Sequence, residues 1–583
     1  MRSNTLRNNR RAMAFICLLM LALMYKQQVL DPYFGQDFVA PPTQTAQNTS
    51  PATNQQQVTS QVANQAPSVS ANSDFPTNQA PASSNAIPND AQIEGAGYIY
   101  IETNAIRAEI SKLGGRIKAL YLKDYKQDLK EGGDLNVIEH LPNTAYPLGV
   151  YSGAQSDAGV RYSVSVSGAT ERDGTHFFTG LEQGDVILSG RLSDGRGIKK
   201  TISFKPDGFF FETTVVLSQA PSDASKIELE WTTVGGDVES SMFDRFNIPG
   251  FTWFDGSSAS RKLINEFESD QANFGNVNWA SYGDKYFMSA LVTKAGQTVA
   301  RGLKEGNLFK TRLSGGDVSG SYLVFVGPKS YQLLEEAGHR LELNVDFGWT
   351  GFVAAPLLFL LNMFNDLFGN YGVAIVALTL LVKLAFYPLN ATSFKSMKAM
   401  QDIAPEVQKL RDTVKDKQQQ QLEMMALYKK KGVNPLGGCL PILVQMPIFI
   451  GLYSTLSLAL ELRHSSFALW VNDLSAPEEL LLGGFGVPVM VIIMVLTMLV
   501  QQWTTPSTMD KTQKKIMLIM PLVFGFIFVN FPAGLTLYML VNNVVSITQQ
   551  RSMMSQNPGN SLRNTVVASL LTFGAAYLLS LTA

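Results

Sequence analysis

The sequence predicts a multi-domain membrane protein. It has an α-helical core of five helices, an N-terminal signal-anchor helix, a large exported antiparallel β-sandwich domain and a cytoplasmic helical hairpin. Three observations lead there. The 583 residues fall into polar and apolar blocks although the net charge is only −1. Apolar runs close to the roughly 20 residues that a bilayer requires recur after residue 370. Between residues 95 and 340 the pattern changes to short period-2 alternation broken by turn residues.

Residues 1–30 form the expected anchor. Arg2, Arg7, Arg10 and Arg11 stand without an acid before an uncharged apolar run at 12–25. The run is short, as in a cleaved signal peptide, yet Leu23, Met24, Tyr25 and Lys26 are all large and no small-x-small site closes it. An uncleaved anchor fits better. Either way the basic end stays in the cytoplasm and the following residues are exported.

Residues 31–92 are dominated by Gln, Asn, Ser, Thr, Ala and Pro and read as a disordered tether, because too little apolar surface is available to fold. Residues 93–342 are the expected sandwich. Alternation at 98–102, 161–167, 201–205 and 226–231 marks strands, and Gly114-Gly115, Pro206-Asp207-Gly208 and Gly235-Gly236 mark turns. Such sandwiches include sugar-binding and hydrolytic domains. No paired-carboxylate or nucleophile spacing stands out, so scaffolding or docking is the simpler expectation.

Residues 343–369 are apolar but interrupted by Pro356, Asn362, Asn365 and Asp366. If they spanned the bilayer, the basic segment after residue 389 would be exported. An amphipathic helix in the outer interface keeps that segment inside.

The core is expected at 370–550, with spans at about 371–389, 437–460, 485–502, 516–531 and 533–550 and a cytoplasmic hairpin at 390–436. In the hairpin Lys395, Lys398, Lys409, Arg411, Lys415, Lys417, Lys429, Lys430 and Lys431 outnumber the acids. Met400, Ile403, Val407, Leu410 and Val414, and then Leu422, Met425 and Tyr428, recur at helical spacing. Pro405 suits a first turn, and Gly432 with Pro435 ends the second helix. The loop before the fourth span carries Lys511, Lys514 and Lys515 and is placed inside.

One charge interrupts the span 371–389: Lys383. An ammonium near the middle costs ~2.5–3.5 kcal/mol on insertion scales, so such residues usually face a bundle interior or a water-filled cavity. A lysine about six residues from the helix end could also snorkel. At helical spacing Thr379 and Tyr387 share its face, giving a stripe of hydroxyl, ammonium and phenol. Gln445, Tyr538, Asn542 and Asn543 add polar groups to other spans, but no acid does. A proton relay would call for one. An unpaired cation instead favours a hydrated cavity, able to receive a polar or acidic peptide segment.

Other chemistries find no support. Cys17 and Cys439 lie in apolar runs, the four histidines have no ligand-like spacing, and no P-loop pattern is present. No catalytic residue, cofactor or metal site is expected, and the chain does not read as an enzyme. The near-neutral charge argues against nucleic-acid binding by bulk charge.

Residues 424–453, MMALYKKKGVNPLGGCLPILVQMPIFIGLY, resemble the YidC/Oxa membrane-insertase family. So do FALWVNDLS at 467–475, KIMLIMP at 515–521, FPAGLTLY at 531–538 and VDFGW at 345–349. The order of anchor, exported domain and core is that of the Gram-negative bacterial YidC type. The resemblance implies an inner-membrane insertase and chaperone, with a periplasmic sandwich and a hydrophilic groove open to cytoplasm and lipid. The groove residues would be Lys383, Thr379, Tyr387, Gln445, Tyr538, Asn542 and Asn543. Lys383 stands where the family usually has arginine. The partners implied are nascent membrane proteins, the lipid bilayer, the Sec translocon and the ribosome. Ribosome contact would fall to Lys395, Lys398, Lys409, Lys429, Lys430, Lys511, Lys514 and Lys515, because the tail 551–563 lacks the basic run that many relatives carry. No nucleic-acid site beyond that contact is expected. The tail departs further at 564–583, an uncharged stretch that could form an extra apolar helix. A solute transporter using Lys383 as an anion site is the alternative, disfavoured by the lack of internal repeats and intramembrane acids.

Overall fold

The computed structural model describes residue 75 and residues 85–581, apart from 128–131, 180–182, 236–247, 268–271, 295, 348–349, 415, 435–439, 483–484, 506–510 and 555–560. The expected anchor at 1–30 and most of the expected tether lie outside the described residues, as do Gly236, Pro435, Cys17 and Cys439.

The tether expected through residue 92 ends earlier. Helix α1 (Asp90–Glu94) begins there, because Asn89 and Gln92 form a reciprocal capping box. Its Asp90 meets His140 at 3.0 Å and ties the segment to the sandwich.

The sandwich is built from three sheets. A nine-stranded sheet runs, in spatial order, Ala259–Leu263, Gly250–Phe254, Trp279–Gly283, Phe287–Thr293, Ser319–Pro328, Phe210–Leu217, Gly197–Phe204, Gly184–Arg191 and Ser163–Ser167. A six-stranded sheet runs Ala272–Val277, Thr298–Glu305, Leu308–Ser314, Ile227–Val234, Gly149–Ser152 and Gln155–Ser156. The two meet face to face: Tyr282 stacks on Phe309 at 4.5 Å, and the Tyr322 hydroxyl donates to the Ile227 carbonyl at 3.0 Å. The third sheet orders Asp134–Asn136, Ile117–Lys126, Ile106–Ser111, Tyr98–Glu102, Thr175–Phe177 and Thr170–Arg172. Pairing is antiparallel except between Tyr98–Glu102 and Thr175–Phe177.

One alternating strand is not half-exposed. In Ile227–Val234 the residues between the apolar ones, Glu228 and Glu230, are also buried. Arginines of other strands cover them. Arg312 Nε donates to Glu230 at 2.7 Å, and Arg301 lies 3.3 Å from Glu228. The layer continues through Arg116, 3.9 Å from Glu230 and 3.6 Å from Asp157, to Lys200, 2.6 Å from Asp157. Burial still pulls the Lys200 ammonium below its ordinary value, against the pull of Asp157.

The sandwich leads into the helical part through α2 (Tyr331–Ala337) and α3 (Gly351–Phe368). Across this junction Ser330 donates to Glu461 at 2.9 Å. Arg463 donates to the carbonyls of Lys126 and Gln127 at 3.1 and 3.4 Å.

The remaining helices are α4 (Tyr371–Ala385), α5 (Tyr387–Asp402), α6 (Ala404–Thr413), α7 (Lys417–Lys431), α8 (Leu440–Leu458), α9 (Val489–Thr504), α10 (Lys511–Phe528), α11 (Ala533–Met554) and α12 (Ser561–Ser580). α3 and α12 are each long and apolar enough to cross a membrane. α4 with α5 reaches that length only as a pair bent by 61°. α3 packs on α4 and α8, and α11 packs on α4, α9 and α12.

Three details differ from the sequence reading. The run expected as one span, 371–389, breaks at Phe386. Pro388 cannot donate a backbone bond and sits in the first turn of α5, so the helix restarts there at an angle. The span expected from 485 starts at Val489, because Phe485–Val487 pairs with Leu480–Leu482 as a small hairpin and Pro488 caps the helix. In the cytoplasmic hairpin Ile403 and Val407 are buried, but Leu422 and Met425 are 71 % and 60 % exposed. Polar bonds join α6 to α7 instead: Lys431 pairs with Glu406 at 2.5 Å, and Gln420 donates to the Arg411 and Val414 carbonyls at 3.0 Å.

Candidate functional site

The site is a polar seam inside an apolar bundle. Asn370 caps α4, accepting from the Val373 N–H at 3.1 Å, and fixes where the helix starts. Twelve apolar or small residues later, Lys383 falls in the last turn of α4. Carbonyls without helical partners lie at such an end and favour a cation.

Lys383 is 5 % exposed. Its Nζ donates to the Ser546 Oγ of α11 at 2.6 Å, and Ser546 in turn donates to the Asn542 carbonyl at 2.7 Å. Among the described residues no carboxylate forms an ion pair with Lys383. One turn back along α11, Asn542 Oδ1 accepts from Gln445 Nε2 of α8 at 3.4 Å. Tyr538, buried at the next turn, is within hydrogen-bond reach of Gln445. Lys383, Gln445, Tyr538 and Asn542 therefore form one connected group at the meeting of α4, α8 and α11.

The other named residues stand apart from it. Thr379 is buried and satisfies its hydroxyl on its own helix, donating to Ile375 O at 2.7 Å. Tyr387 does not continue the α4 face, because the break at Phe386 precedes it. Its hydroxyl meets Ser561 Oγ of α12 at 2.6 Å. Asn543 points to a different seam, donating to Thr497 Oγ1 of α9 at 3.4 Å.

Ser546 was not singled out by the sequence reading, although it is the direct partner of Lys383. A serine in an apolar helix reads as packing. The available signal was its position, four residues after Asn542. Gln549 lies three residues further on the same face, buried, with Nε2 unpartnered. The α11 stripe thus runs from Tyr538 through Asn542 and Ser546 to Gln549, towards the basic hairpin.

At the hairpin end, Lys395, Lys409, Lys429, Lys430 and Lys515 are exposed and Lys398 is half-buried. Lys511 and Lys514 begin α10, but their side chains lie outside the described residues. No group of His, Cys, Asp or Glu arranged to hold a metal occurs among the described residues.

Known protein families match both halves of the chain. The YidC periplasmic domain family matches residues 98–360, and the family described as 60Kd inner membrane protein matches residues 363–560. Membrane protein insertase YidC of Pelobacter propionicus is 33 % identical over 499 residues, covering 81 % of this chain and 89 % of its own length. That of Syntrophus aciditrophicus is 35 % identical over 499 residues, covering 81 % and 87 %. A solved structure described as an active YidC insertase with the first transmembrane domain resolved covers 80 % of this chain and 93 % of its own, at 20 % identity and a TM-score of 0.35. With both halves of the chain matched and a third of the residues shared with relatives along most of their length, this chain belongs to the YidC membrane-insertase family.

Proposed function

We propose that the protein is an inner-membrane insertase and chaperone for nascent membrane proteins, working alone or beside the Sec translocon. Apolar segments of a substrate slide along the outward faces of the core helices into lipid. Their polar flanks pass through the seam centred on Lys383, Gln445, Tyr538 and Asn542, with Thr379, Tyr387 and Asn543 around it. In this reading α3 lies in the outer interface, the large domain is periplasmic, and the N-terminus is cytoplasmic. The exposed lysines of the hairpin, with Lys511, Lys514 and Lys515 at the start of α10, meet the ribosome.

The observation that carries the proposal is the state of Lys383. An ammonium has three donors. Here it is enclosed among apolar helices, engages one hydroxyl, and has no ion pair among the described residues. Water or a substrate's polar group can take the remaining donors. A passing acidic flank exchanges water for a cation in a medium where charge attraction is strong. Partial hydration shortens the apolar path that a polar flank must cross, which lowers its desolvation barrier.

The test is complementation in cells depleted of their own insertase, scored by protease protection of a membrane protein with an acidic translocated tail. Restored translocation supports the proposal. No restoration by the well-expressed full-length chain overturns it.

A further inference from the structure

Helix α12 is the part of the membrane region that the proposed function leaves unused, and its contacts set its direction. The two ends of the bundle are marked by what touches them. At one end Asn370, which caps α4, donates to the Phe467 carbonyl at 3.1 Å, in the loop whose Glu461 and Arg463 hold the sandwich. α11 starts at that end too. Its Ala533 and Gly534 N–H groups donate to the Ala476 and Leu474 carbonyls of the same loop at 2.8 and 2.9 Å. At the other end α4 gives way to α5 and the basic hairpin, and α11 finishes.

α12 starts at the hairpin end. Ser561 Oγ meets the Tyr387 hydroxyl, in the first turn of α5, at 2.6 Å, and Asn564 Nδ2 donates to Ser552 Oγ, near the end of α11, at 3.0 Å. Further on, α12 reaches the sandwich end. The ring of Phe573 stands edge-on to that of Phe368, 5.0 Å between centroids, and Phe368 closes α3 two residues before Asn370. The helix rises about 18 Å from Ser561 to Phe573, close to the about 21 Å of α4 from Tyr371 to Ala385.

The helix is seated along this whole path. Ser561, Thr565, Ser569 and Ala576 are buried, and α12 packs on both α4 and α11. Ala576 belongs to the bundle's apolar core, and Phe573 packs against it. Leu562, Leu570, Leu571 and Leu578 are more than half exposed, as the lipid side of a span is. Its 20 residues rise about 30 Å, the thickness of a bilayer's hydrocarbon core. Its one charge, Arg563, stands at the hairpin end, where the rule that basic residues stay inside puts it.

We infer that α12 is a further transmembrane span, antiparallel to α4, which returns the chain to the side of the sandwich. A helix resting on the inner surface would hold Ser561 and Phe573 at one level, whereas their partners lie at opposite ends of the bundle. The span limits which surfaces can meet a ribosome. After α11 the chain keeps inside only the link from Met554 to Ser561, where SQNPGN carries no charge. Attraction to anionic RNA therefore falls to the hairpin and the start of α10, and the end of α12 at Ser580 faces the compartment of the exported domain.

Calling that compartment exterior rests on the insertase reading, and the test separates the two. In a full-length background with Cys17→Ser and Cys439→Ser, single thiols are introduced by Leu581→Cys, by Lys205→Cys on the sandwich and by Gln421→Cys on the hairpin, all exposed positions. Spheroplasts are treated with a membrane-impermeant maleimide before and after lysis. Leu581→Cys and Lys205→Cys label before lysis, and Gln421→Cys labels only after it. Leu581→Cys labelling on the same side as Gln421→Cys overturns the span. Lys205→Cys labelling only after lysis counts against the insertase reading instead, because the sandwich is then not exported. A second measurement needs no thiol access. Alkaline phosphatase, active only when exported, is fused after Ala583 of the full chain, and deletion of residues 561–580 from this fusion abolishes its activity. An inactive full-length fusion, or equal activity without α12, overturns the inference.

Discussion

Lys383 and Ser546 meet at 2.6 Å across the seam between α4 and α11. The bond places the ammonium beside the stripe of Tyr538, Asn542 and Gln549 rather than letting it extend past the helix end. Snorkelling is thereby disfavoured. A stem directed at the bundle interior and 5 % exposed has not carried its charge to the interface.

If the charge attracts acidic flanks, its sign matters more than its size. Lys383→Ala should slow insertion of an acidic-tailed substrate about tenfold, and Lys383→Glu should slow it further, because repulsion is added to lost attraction. Lys383→Arg should stay near wild type, since the charge is kept. A basic-tailed substrate should reverse the order of Ala and Glu. Protease protection of paired acidic- and basic-tailed substrates measures all of this.

Ser546 should matter through Lys383. Ser546→Ala removes the hydroxyl and should cost ~1 kcal/mol or less of transition-state stabilisation, in line with interhelical bonds in membranes. In a Lys383→Ala background the same change should have little effect. A double-mutant cycle on insertion rates reads the coupling. Additive losses would place Ser546 in packing alone.

Most of the architecture was legible because it rests on local pattern: alternation for strands and apolar length for helices. What was not legible depends on distant partners. Glu228 and Glu230 sit at positions that alternation assigns to water, and only the fold brings Arg312 from 82 residues away to cover Glu230. The break at Phe386 removed Tyr387 from the stripe, because the residues around Pro388 read equally well as the end of one span. Lys383 itself was legible, since a lone charge in an apolar run is anomalous. Ser546 was not, because its meaning comes from the helix opposite.

The buried charge layer gives the sandwich a sharp mutational signature. Asp157 is fully buried between Lys200 and Arg116 and accepts from Tyr162 at 3.1 Å. Asp157→Ala removes the one carboxylate that Lys200 pairs with among the described residues and leaves Arg116 to Glu230 alone, and should destabilise the domain by ~3–5 kcal/mol. Joint replacement by Asp157→Leu and Lys200→Met should cost clearly less than the two single effects summed. Thermal denaturation of the full-length protein, followed by limited proteolysis of the sandwich, tests both.

Lys329 predicts a pH effect at the junction of sandwich and core. Burial, followed by the nearby Arg261 charge, lowers its ammonium to about 7, while Asp284 and Asp346 pull the other way. A depressed lysine binds fewer protons folded than unfolded between about 7 and its ordinary value of 10.5. Its destabilising contribution is therefore full below about pH 7 and fades as pH rises towards 10.5. Lys329→Met should stabilise the domain most at pH 6 and least at pH 10, read as the difference in melting temperature from wild type.

The central claim is that nascent chains pass along the Lys383 seam. The most direct measurement places a photo-crosslinking residue singly at Tyr538, at Ser546 and at Leu571, which is 69 % exposed on the outer face of α12, and irradiates cells making a stalled membrane protein. The account predicts adducts to the nascent chain from Tyr538 and Ser546 and few from Leu571. Adducts from Leu571 alone, or equal yield at all three, would contradict it.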